Sequence, residues 1–469
     1  GTFLVVYICI SIVFGIPLVF LEIGLGQFCQ EGTTKLWRAV PLFKGIGYVK
    51  VVASALVSIY YPVLMALSLF YMIWTAKGPL PFEECTQDFE NLTSEECLKE
   101  TFLKSLNVNA MWFGVSVAFL FLLWALLMLC IFKSDNSYKI AVYFIFFPIL
   151  ICLIALFVES ILSDTSVHGL TSLVTFDWNN LLDLKVILWY FAIVQMFFST
   201  QLGFGNIATC AGRLYSKNNA MWVECLNALD KIYSRDMFVY GVLVVCLVYQ
   251  WIGRHSPTVT IPETFVFTVT YDAAVNYAGD LKQLWPILMF LVIICTGFAA
   301  MLALLYTILV AITLEINKRC SWWVIAGCIC IVGFLAGILC IIPENMEIVH
   351  ILDHYVIGRI VIDSTALELI AFAWYSIILI CFIFISGSST LYNDFEFVLG
   401  RQLNPFWKLI KLVEIWSIVS LPRTGLSETA SDPVWVYSTG WVLYLLSWVI
   451  VISAAIHQIH SQVDYNLSQ

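Results

Sequence analysis

Long apolar runs separated by short polar connections dominate the chain. A helix of roughly 17 residues or more can cross about 30 Å of hydrocarbon, and eleven runs reach that length. They are 3–29, 46–75, 110–132, 139–159, 186–213, 236–252, 284–313, 321–342, 361–386, 405–421 and 433–457. The pattern predicts an all-α polytopic membrane protein with 11 transmembrane helices.

The positions of Lys and Arg predict the orientation, because cytoplasmic loops carry an excess of these residues. Placing the start of the first run outside puts 15 of the 23 Lys and Arg on the inner side and 8 on the outer side. This orientation makes 76–109 an extracellular loop and 458–469 a cytoplasmic tail. An external start and an internal end are expected if one preceding helix is absent.

Composition agrees with a membrane protein. Apolar residues make up 61% of the chain and charged residues 12%, against about 45–50% and 25% in soluble domains. A soluble enzyme, a nucleic-acid binder and a disordered scaffold are excluded. The net charge of −9 reflects acidic residues concentrated between Glu83 and Glu100 in one loop, so it does not indicate a basic partner.

The acidic loop also carries Asn91-Leu92-Thr93, a glycosylation sequon, between Cys85 and Cys97. An extracellular loop lies in an oxidising compartment, where a disulfide and a glycan are both favoured. A chance sequon and two unpaired thiols are the alternatives. Thirteen of the 15 cysteines lie in or beside apolar stretches, where a thiol behaves as a small hydrophobe.

Several motifs occur in order along nearly the whole chain. They include Glu22-Ile23-Gly24-Leu25-Gly26-Gln27, Phe43-Lys44-Gly45-Ile46-Gly47-Tyr48, Ile59-Tyr60-Tyr61, Gln195 to Gly205, Leu352-Asp353-His354 and Leu391-Tyr392-Asn393-Asp394-Phe395. Together they resemble the neurotransmitter:sodium symporter family, sodium- and chloride-coupled carriers of amino acids and amines. The resemblance implies one transporter domain over 1–469 with a leucine-transporter-like inverted-repeat fold. Residue 3 aligns with the start of the second family helix, so helices 2–12 are expected and the first is lacking.

The run 186–213 is predicted to be a broken helix. Ser199, Thr200 and Gln201, followed by Gly203 and Gly205, place poor helix formers near its middle. Unwound backbone is tolerated at membrane depth only where it lines a cavity or is buried in protein. A glycine-rich packing face is the alternative, but the resemblance to the family's unwound motif favours a site.

The resemblance implies a central substrate site beside this segment. Two Phe side chains would form its walls, Val57 its floor, and the Tyr61 hydroxyl would contact the substrate carboxylate. Gln201 replaces a small residue that is usual in the family. The expected substrate-binding residues are Val57, Tyr61, Phe198, Ser199, Gln201 and Phe204.

The resemblance also implies ion sites. Tyr7, Gln195 and Ser199 match three of the family's chloride ligands, and Phe198 with Ser199 would contribute to the first sodium site. Two further positions do not match, since Tyr233 and Met237 stand where Asn and Ser are expected.

The second sodium site departs further from the family. Ala299 and Ala300 occupy positions that usually carry side-chain oxygens, which sodium requires. Leu314 replaces an internal-gate Asp, and Tyr306 replaces a Glu. These changes argue against sodium coupling through this site.

Two further acids match family positions. Asp353 matches an external-gate acid whose usual basic partner lies in the first family helix, and a solvated loop acid is the alternative. Glu368 lies within a predicted span, where an acid usually has a buried partner or a role. A structural anchor and a transport role remain open for Glu368.

The sequence therefore predicts a multi-pass plasma-membrane glycoprotein that transports amino acids or related small zwitterions and amines by alternating access. A transport-incompetent relative that acts as a partner or regulatory subunit is the alternative. We expect no enzyme activity, metal site, cofactor or nucleic-acid partner; sodium and chloride are the ions that could be coupled. The partners expected are the substrate, the lipid bilayer and, for the alternative, another membrane protein.

Overall fold

A computed structural model of the chain describes thirteen stretches and isolated positions. They are 2–38, 40–78, 80, 110–133, 135–162, 186–214, 267, 270–271, 274, 283–316, 320–343, 346–368 and 434–468. This part of the chain is helical and contains no strand, which confirms the all-α fold class. The loop residues Cys85, Asn91 and Cys97, and the positions Tyr233 and Met237, lie outside the described residues.

Eleven α-helices have defined bounds. In chain order they are α1 (Thr2–Ile10), α2 (Ile16–Cys29), α3 (Lys44–Lys77), α4 (Ala110–Ile131), α5 (Asp135–Leu162), α6 (Val186–Thr200), α7 (Asn206–Arg213), α8 (Leu284–Glu315), α9 (Trp322–Ile341), α10 (Glu347–His350) and α11 (Val434–Ser468). A π-helical turn at Ser11–Gly15 joins α1 to α2. A second, at Ile351–Ile357, leads from α10 into a helix over 358–368.

Seven of the predicted spans correspond to helices long and apolar enough to cross a membrane. These are Thr2–Cys29, Pro41–Lys77, Phe113–Ile131, Asp135–Leu156, Leu284–Glu315, Trp322–Ile341 and Ser438–Ser461. Of the other four predictions, 186–213 is broken into α6 and α7, and 361–386 is described only through 368. The runs 236–252 and 405–421 lie outside the described residues, so the count of 11 stays a prediction. α11 continues to Ser468, so most of the segment expected as a tail is helical.

The outer helices present apolar side chains to the surroundings. Examples are Leu129 on α4, Phe144 on α5, Val332 on α9 and Val442 on α11, all exposed. Lipid tails accept such surfaces, so exposed hydrophobic residues mark the membrane-facing ring rather than a defect of the core. α3, in contrast, is buried along most of its length, and it therefore forms the centre against which the site is built.

Two glycines allow α2 and α7 to pack closely. A Cβ on Gly212 would lie 2.7 Å from the carbonyl oxygen of Gly26, and a Cβ on Gly26 would collide with the backbone of Ala208. Close backbone approach through small residues is the usual way in which membrane helices associate. This contact fixes the position of α7 after the helix break.

Candidate functional site

The broken helix is the central feature of the site. α6 ends at Thr200 and α7 begins at Asn206, which confirms the predicted break. Gly203 and Gly205 have φ of 80° and 77°, and Gln201 has a φ of 52°. Glycine adopts this left-handed region without penalty, whereas Gln201 pays a steric cost there. The entire segment 201–212 is buried, so its backbone groups need partners inside the protein.

Two helices supply hydrogen-bond partners, and a third packs against the break. Ser54 on α3 donates its hydroxyl hydrogen to the carbonyl oxygen of Phe204 at 2.8 Å. Glu22 on α2 accepts a hydrogen bond from the Gly203 amide at 3.4 Å. On the third helix, at 358–368, Thr365 and Val361 stand so close to Gly203 that an added Cβ would lie 2.7 Å from each side chain.

The face of α3 that meets the break is defined by residue spacing. Lys50, Ser54, Val57 and Tyr61 follow one another at intervals of four, three and four residues, so they form one stripe along the helix. Ser54 binds the break directly, and Val57 is buried. Gly297 of α8 stands against Tyr61, because an added Cβ would lie 2.9 Å from Tyr61 Cε1. The predicted floor and the predicted tyrosine therefore share the stripe that faces the break.

Both predicted aromatic walls lie at the break. The rings of Phe198 and Phe204 are 5.8 Å apart between centroids and tilted by 58°. Phe204 is buried and Phe198 is partly buried. Gln201 turns its amide oxygen to Asn206 Nδ2, so this side chain is bonded within the break itself. The sequence analysis did not single out Asn206, whose position directly after Gly205 was the available signal.

Two of the three predicted chloride ligands meet. The hydroxyls of Tyr7 on α1 and Ser199 on α6 are 2.7 Å apart and buried. Two hydroxyls can both turn their hydrogens toward an anion, so this pair suits the chemistry of chloride. Gln195, one turn before Ser199, is exposed and is not brought to the pair. Chloride binding stays a prediction.

Asp353 accepts a hydrogen bond from a residue that the sequence analysis did not assign to it. The Tyr60 hydroxyl on α3 donates to Asp353 Oδ1 at 2.5 Å. Tyr60 directly precedes Tyr61, so its ring lies beside the stripe that faces the break; the two rings meet edge to face at 6.2 Å. A gate role for Asp353 stays a prediction, now with a described partner.

A buried ion triad lies next to the break. Lys50 Nζ donates to Glu22 Oε1 at 2.7 Å and also to Glu368 Oε2. The count of loop charges used for orientation includes Lys50, and that placement is wrong, because Lys50 is fully buried within the span Pro41–Lys77. Glu368 has the buried partner that an acid in a span requires. Pairing across three helices depends on tertiary packing, so the sequence carried no signal for it.

Several positions at which the sequence departs from the family pattern lie in α8. Ala299 and Ala300 lie in α8 and have no side-chain oxygen. Tyr306, further along α8, donates to Asp135 Oδ1 at 2.8 Å and stacks on Tyr138 with 4.7 Å between ring centroids. Within the described residues no group of three or more His, Cys, Asp or Glu side chains could hold a metal ion.

A helical membrane protein with a discontinuous helix held at its centre has the architecture of a secondary transporter. The profile described as the sodium:neurotransmitter symporter family matches residues 1–116 and 111–462. The chain belongs to this family. Family and relatives are transporters rather than enzymes, and the ions in their names are coupled ions rather than cofactors.

Two amino acid transporters of known name align with most of the chain. The chain is 26% identical over 499 residues to "Sodium-dependent nutrient amino acid transporter 1" of Drosophila virilis, covering 95% of this chain and 75% of the relative. It is 25% identical over 536 residues to the human "Sodium- and chloride-dependent neutral and basic amino acid transporter B(0+)", covering 97% and 79%.

A solved structure has the same fold. The crystal structure of MhsT in complex with L-phenylalanine superposes with a TM-score of 0.66 and 16% identity, covering 89% of this chain and 90% of that one. The inverted-repeat fold expected from the motifs is thereby confirmed.

Proposed function

We propose that the chain carries amino acids, or related small zwitterions and amines, across the plasma membrane by alternating access. The observation that carries this proposal is the helix break at 201–205, whose backbone is hydrogen-bonded by two other helices and packed against a third. Relatives from Drosophila virilis and human are named as amino acid transporters, which supports an amino acid as the substrate.

In this proposal the break and the α3 stripe form the substrate site. Phe198 and Phe204 enclose the apolar part of the substrate, above the floor made by Val57. The Tyr61 hydroxyl donates to the substrate carboxylate, and unwound backbone groups bind its remaining polar atoms. Ser199 and Gln201 line the same segment. The aromatic contact between Phe198 and Phe204 supports this arrangement, because the two rings already lie together.

Access alternates around this fixed site. The hydrogen bond from Tyr60 to Asp353 joins α3 to the π-helical turn at Ile351–Ile357, and it closes the side predicted to be external. Chloride binds at Tyr7 and Ser199, where two hydroxyls meet. Sodium coupling through the positions of Ala299 and Ala300 is not part of the proposal, because sodium requires several oxygen ligands.

Uptake by cells that express the chain tests the function. Radiolabelled leucine, phenylalanine and lysine are supplied with sodium, with N-methyl-D-glucamine in place of sodium, and with gluconate in place of chloride. We expect uptake above that of non-expressing cells, which persists without sodium. Surface biotinylation checks that the chain reaches the plasma membrane.

A pair of Phe variants links uptake to the site. Phe198→Ala removes one wall, and we expect substrate affinity to fall about tenfold, equivalent to about 1.4 kcal/mol. Phe144→Ala is the matched control, because Phe144 is 76% exposed on the outer face of α5. Equal effects of the two variants would argue against a site at Phe198.

The alternative is a transport-incompetent partner or regulatory subunit, which the loss of side-chain oxygens at Ala299 and Ala300 favours. It predicts no uptake of any of the three amino acids although the chain is at the surface. It also predicts that another membrane protein co-purifies with the chain. Uptake that strictly requires sodium would contradict our interpretation of the two alanines.

A further inference from the structure

The buried triad of Glu22, Lys50 and Glu368 contains three ionisable groups enclosed among the helices. The Lys50 and Glu side chains are 2–6% exposed. Ionisable groups buried in a membrane protein are costly, and they are found where they pair with one another or serve a function. A purely apolar contact would join these helices at lower cost, so the presence of three charges calls for a role beyond packing.

The triad has an unbalanced formal charge. One ammonium faces two carboxylates, which leaves −1 if all three groups are ionised. Among the described residues, the charged groups that face Lys50 are Glu22 from α2 and Glu368 from the 358–368 helix. The break contributes only the Gly203 amide. A buried net charge is unfavourable, so binding of one cation that neutralises the triad is favoured.

The geometry selects the kind of cation. Lys50 Nζ already occupies the position between the two carboxylates, with hydrogen bonds to both. A metal ion would have to displace this tethered ammonium. A proton needs no such space and requires only one carboxylate oxygen. Glu22 Oε2 is buried and has no hydrogen-bond partner among the described residues, so one such oxygen is available.

The triad is also connected to the helix break. Glu22 Oε1 accepts from Lys50 and from the Gly203 amide at the same atom. Lys50 lies one turn before Ser54, which binds the Phe204 carbonyl. Glu368 lies one turn after Thr365, which packs against Gly203. A change in the charge of the triad therefore changes the bonds that hold the unwound segment, where the substrate is proposed to bind.

We propose that the Glu22–Lys50–Glu368 triad binds one proton and that this proton is the ion coupled to transport. In the step, one O–H bond forms on a triad carboxylate, the formal charge changes from −1 to 0, and the same proton later leaves on the opposite side of the membrane. The proton belongs to the coupled triad rather than to one named oxygen. This inference rests on the proposed function and names the ion that drives it.

Proteoliposomes containing the purified protein test the coupling. A transported amino acid identified by uptake is supplied without sodium, while valinomycin and equal potassium hold the membrane potential at zero. An inward proton gradient of one pH unit should drive accumulation, with a ceiling of about tenfold for one proton per substrate. A pH-sensitive dye inside the vesicles should report acidification that depends on substrate.

Glu368→Gln tests the triad itself, because the variant is neutral without a proton. We expect it to lose accumulation driven by pH, and its substrate exchange with equal pH on both sides should no longer change when that pH is varied. Glu31→Gln is the matched control, since Glu31 forms a partly exposed surface bridge with Arg38. It should accumulate substrate like the wild type.

The failures of the two proposals are distinguishable. A wild type that exchanges substrate but accumulates none with a pH gradient, or that accumulates it only with a sodium gradient, would overturn the proton inference and leave the transport function standing. A wild type that exchanges no substrate would overturn the function. In that case the pH dependence of thermal unfolding tests proton binding by the triad. The difference in unfolding temperature between the wild type and Glu368→Gln should change with pH. A difference that stays constant with pH would overturn proton binding.

Discussion

Single residues at the helix break combine backbone strain with tight packing. Gly203 holds a left-handed φ of 80° while Val361 and Thr365 leave no room for a side chain. Its amide donates to Glu22, so the same residue joins the break to the ion triad. A side chain at this position therefore has to disturb both the conformation of the break and its contact with the 358–368 helix.

We expect Gly203→Ala to destabilise the protein by about 1–3 kcal/mol, the range for strained backbone positions. Thermal unfolding of the purified protein in detergent measures the change. Gly327→Ala on α9 is the matched control, because the nearest atom to its added Cβ is Met128 Cε at 3.7 Å. The control should leave stability unchanged or raise it slightly, since alanine favours a helix. Equal stabilities of the two variants would contradict the packing described at Gly203.

Among the helices, α3 and the 358–368 helix both contact the break, each through a row of residues at helical spacing. Lys50, Ser54, Val57 and Tyr61 lie on one face of α3, and Val361, Thr365 and Glu368 have the same helical spacing. About 16 Å of α3 separates Lys50 from Tyr61 at 1.5 Å per residue. The ion triad and the proposed substrate site are thus two ends of one helix face, with the Ser54 hydrogen bond between them.

Removal of the Ser54 hydroxyl tests this connection. Ser54→Ala leaves the buried carbonyl of Phe204 without its partner, a loss of about 1–3 kcal/mol. Ser58→Ala is the control, because the Ser58 hydroxyl donates at 2.7 Å to the carbonyl of Ser54 within the same helix. We expect Ser54→Ala to weaken substrate binding, measured as a higher KM for uptake, and Ser58→Ala to have little effect. A raised KM in both variants would instead indicate a general effect on α3.

For the whole molecule, orientation decides which loops face the outside of the cell. Without Lys50 the loop charges are 14 on the inner side and 8 on the outer side, so the predicted orientation stands after the correction. The loop 76–109, with Asn91, Cys85 and Cys97, is therefore still expected to be extracellular.

Glycosylation checks this orientation. We expect the chain expressed in animal cells to migrate faster on a gel after glycosidase treatment, and Asn91→Gln to abolish that shift. A thiol-reactive, membrane-impermeant label should modify Cys85 and Cys97 in intact cells only after reduction, as a disulfide requires. Labelling without reduction would contradict the disulfide, and a wild type without a glycan would remove this support for an external loop.

Much of the architecture was predictable because lipid imposes a strong rule: a spanning helix must be long and apolar. Seven predicted spans and the break between Thr200 and Asn206 follow from this rule and from the helix propensities of Gly203 and Gly205. The π-helical turns at Ser11–Gly15 and Ile351–Ile357 were not predictable, because no residue pattern in them distinguishes a π-helical turn from the α-helix that continues on either side.

The residues of the candidate site were only partly predictable. The resemblance to the family identified Phe198, Phe204, Tyr7 and Ser199, because it aligns each of them with a family position, whereas the contact between Tyr7 and Ser199 came from the structure. Lys50 was counted among the inner-side charges although the predicted run 46–75 includes it, because a single lysine near the start of an apolar run does not reveal whether it points to water or to a partner.

The amino-acid sequence by itself determined the membrane class, the helix break and the family, because these depend on composition, local propensity and motif order. Only the tertiary structure decided where the charges of Glu22, Lys50 and Glu368 lie and which backbone groups they bind. These three residues are separated by 28 and 318 positions along the chain. A buried charge is tolerated only beside its partner, and partners so distant in sequence are brought together by the packing of three helices.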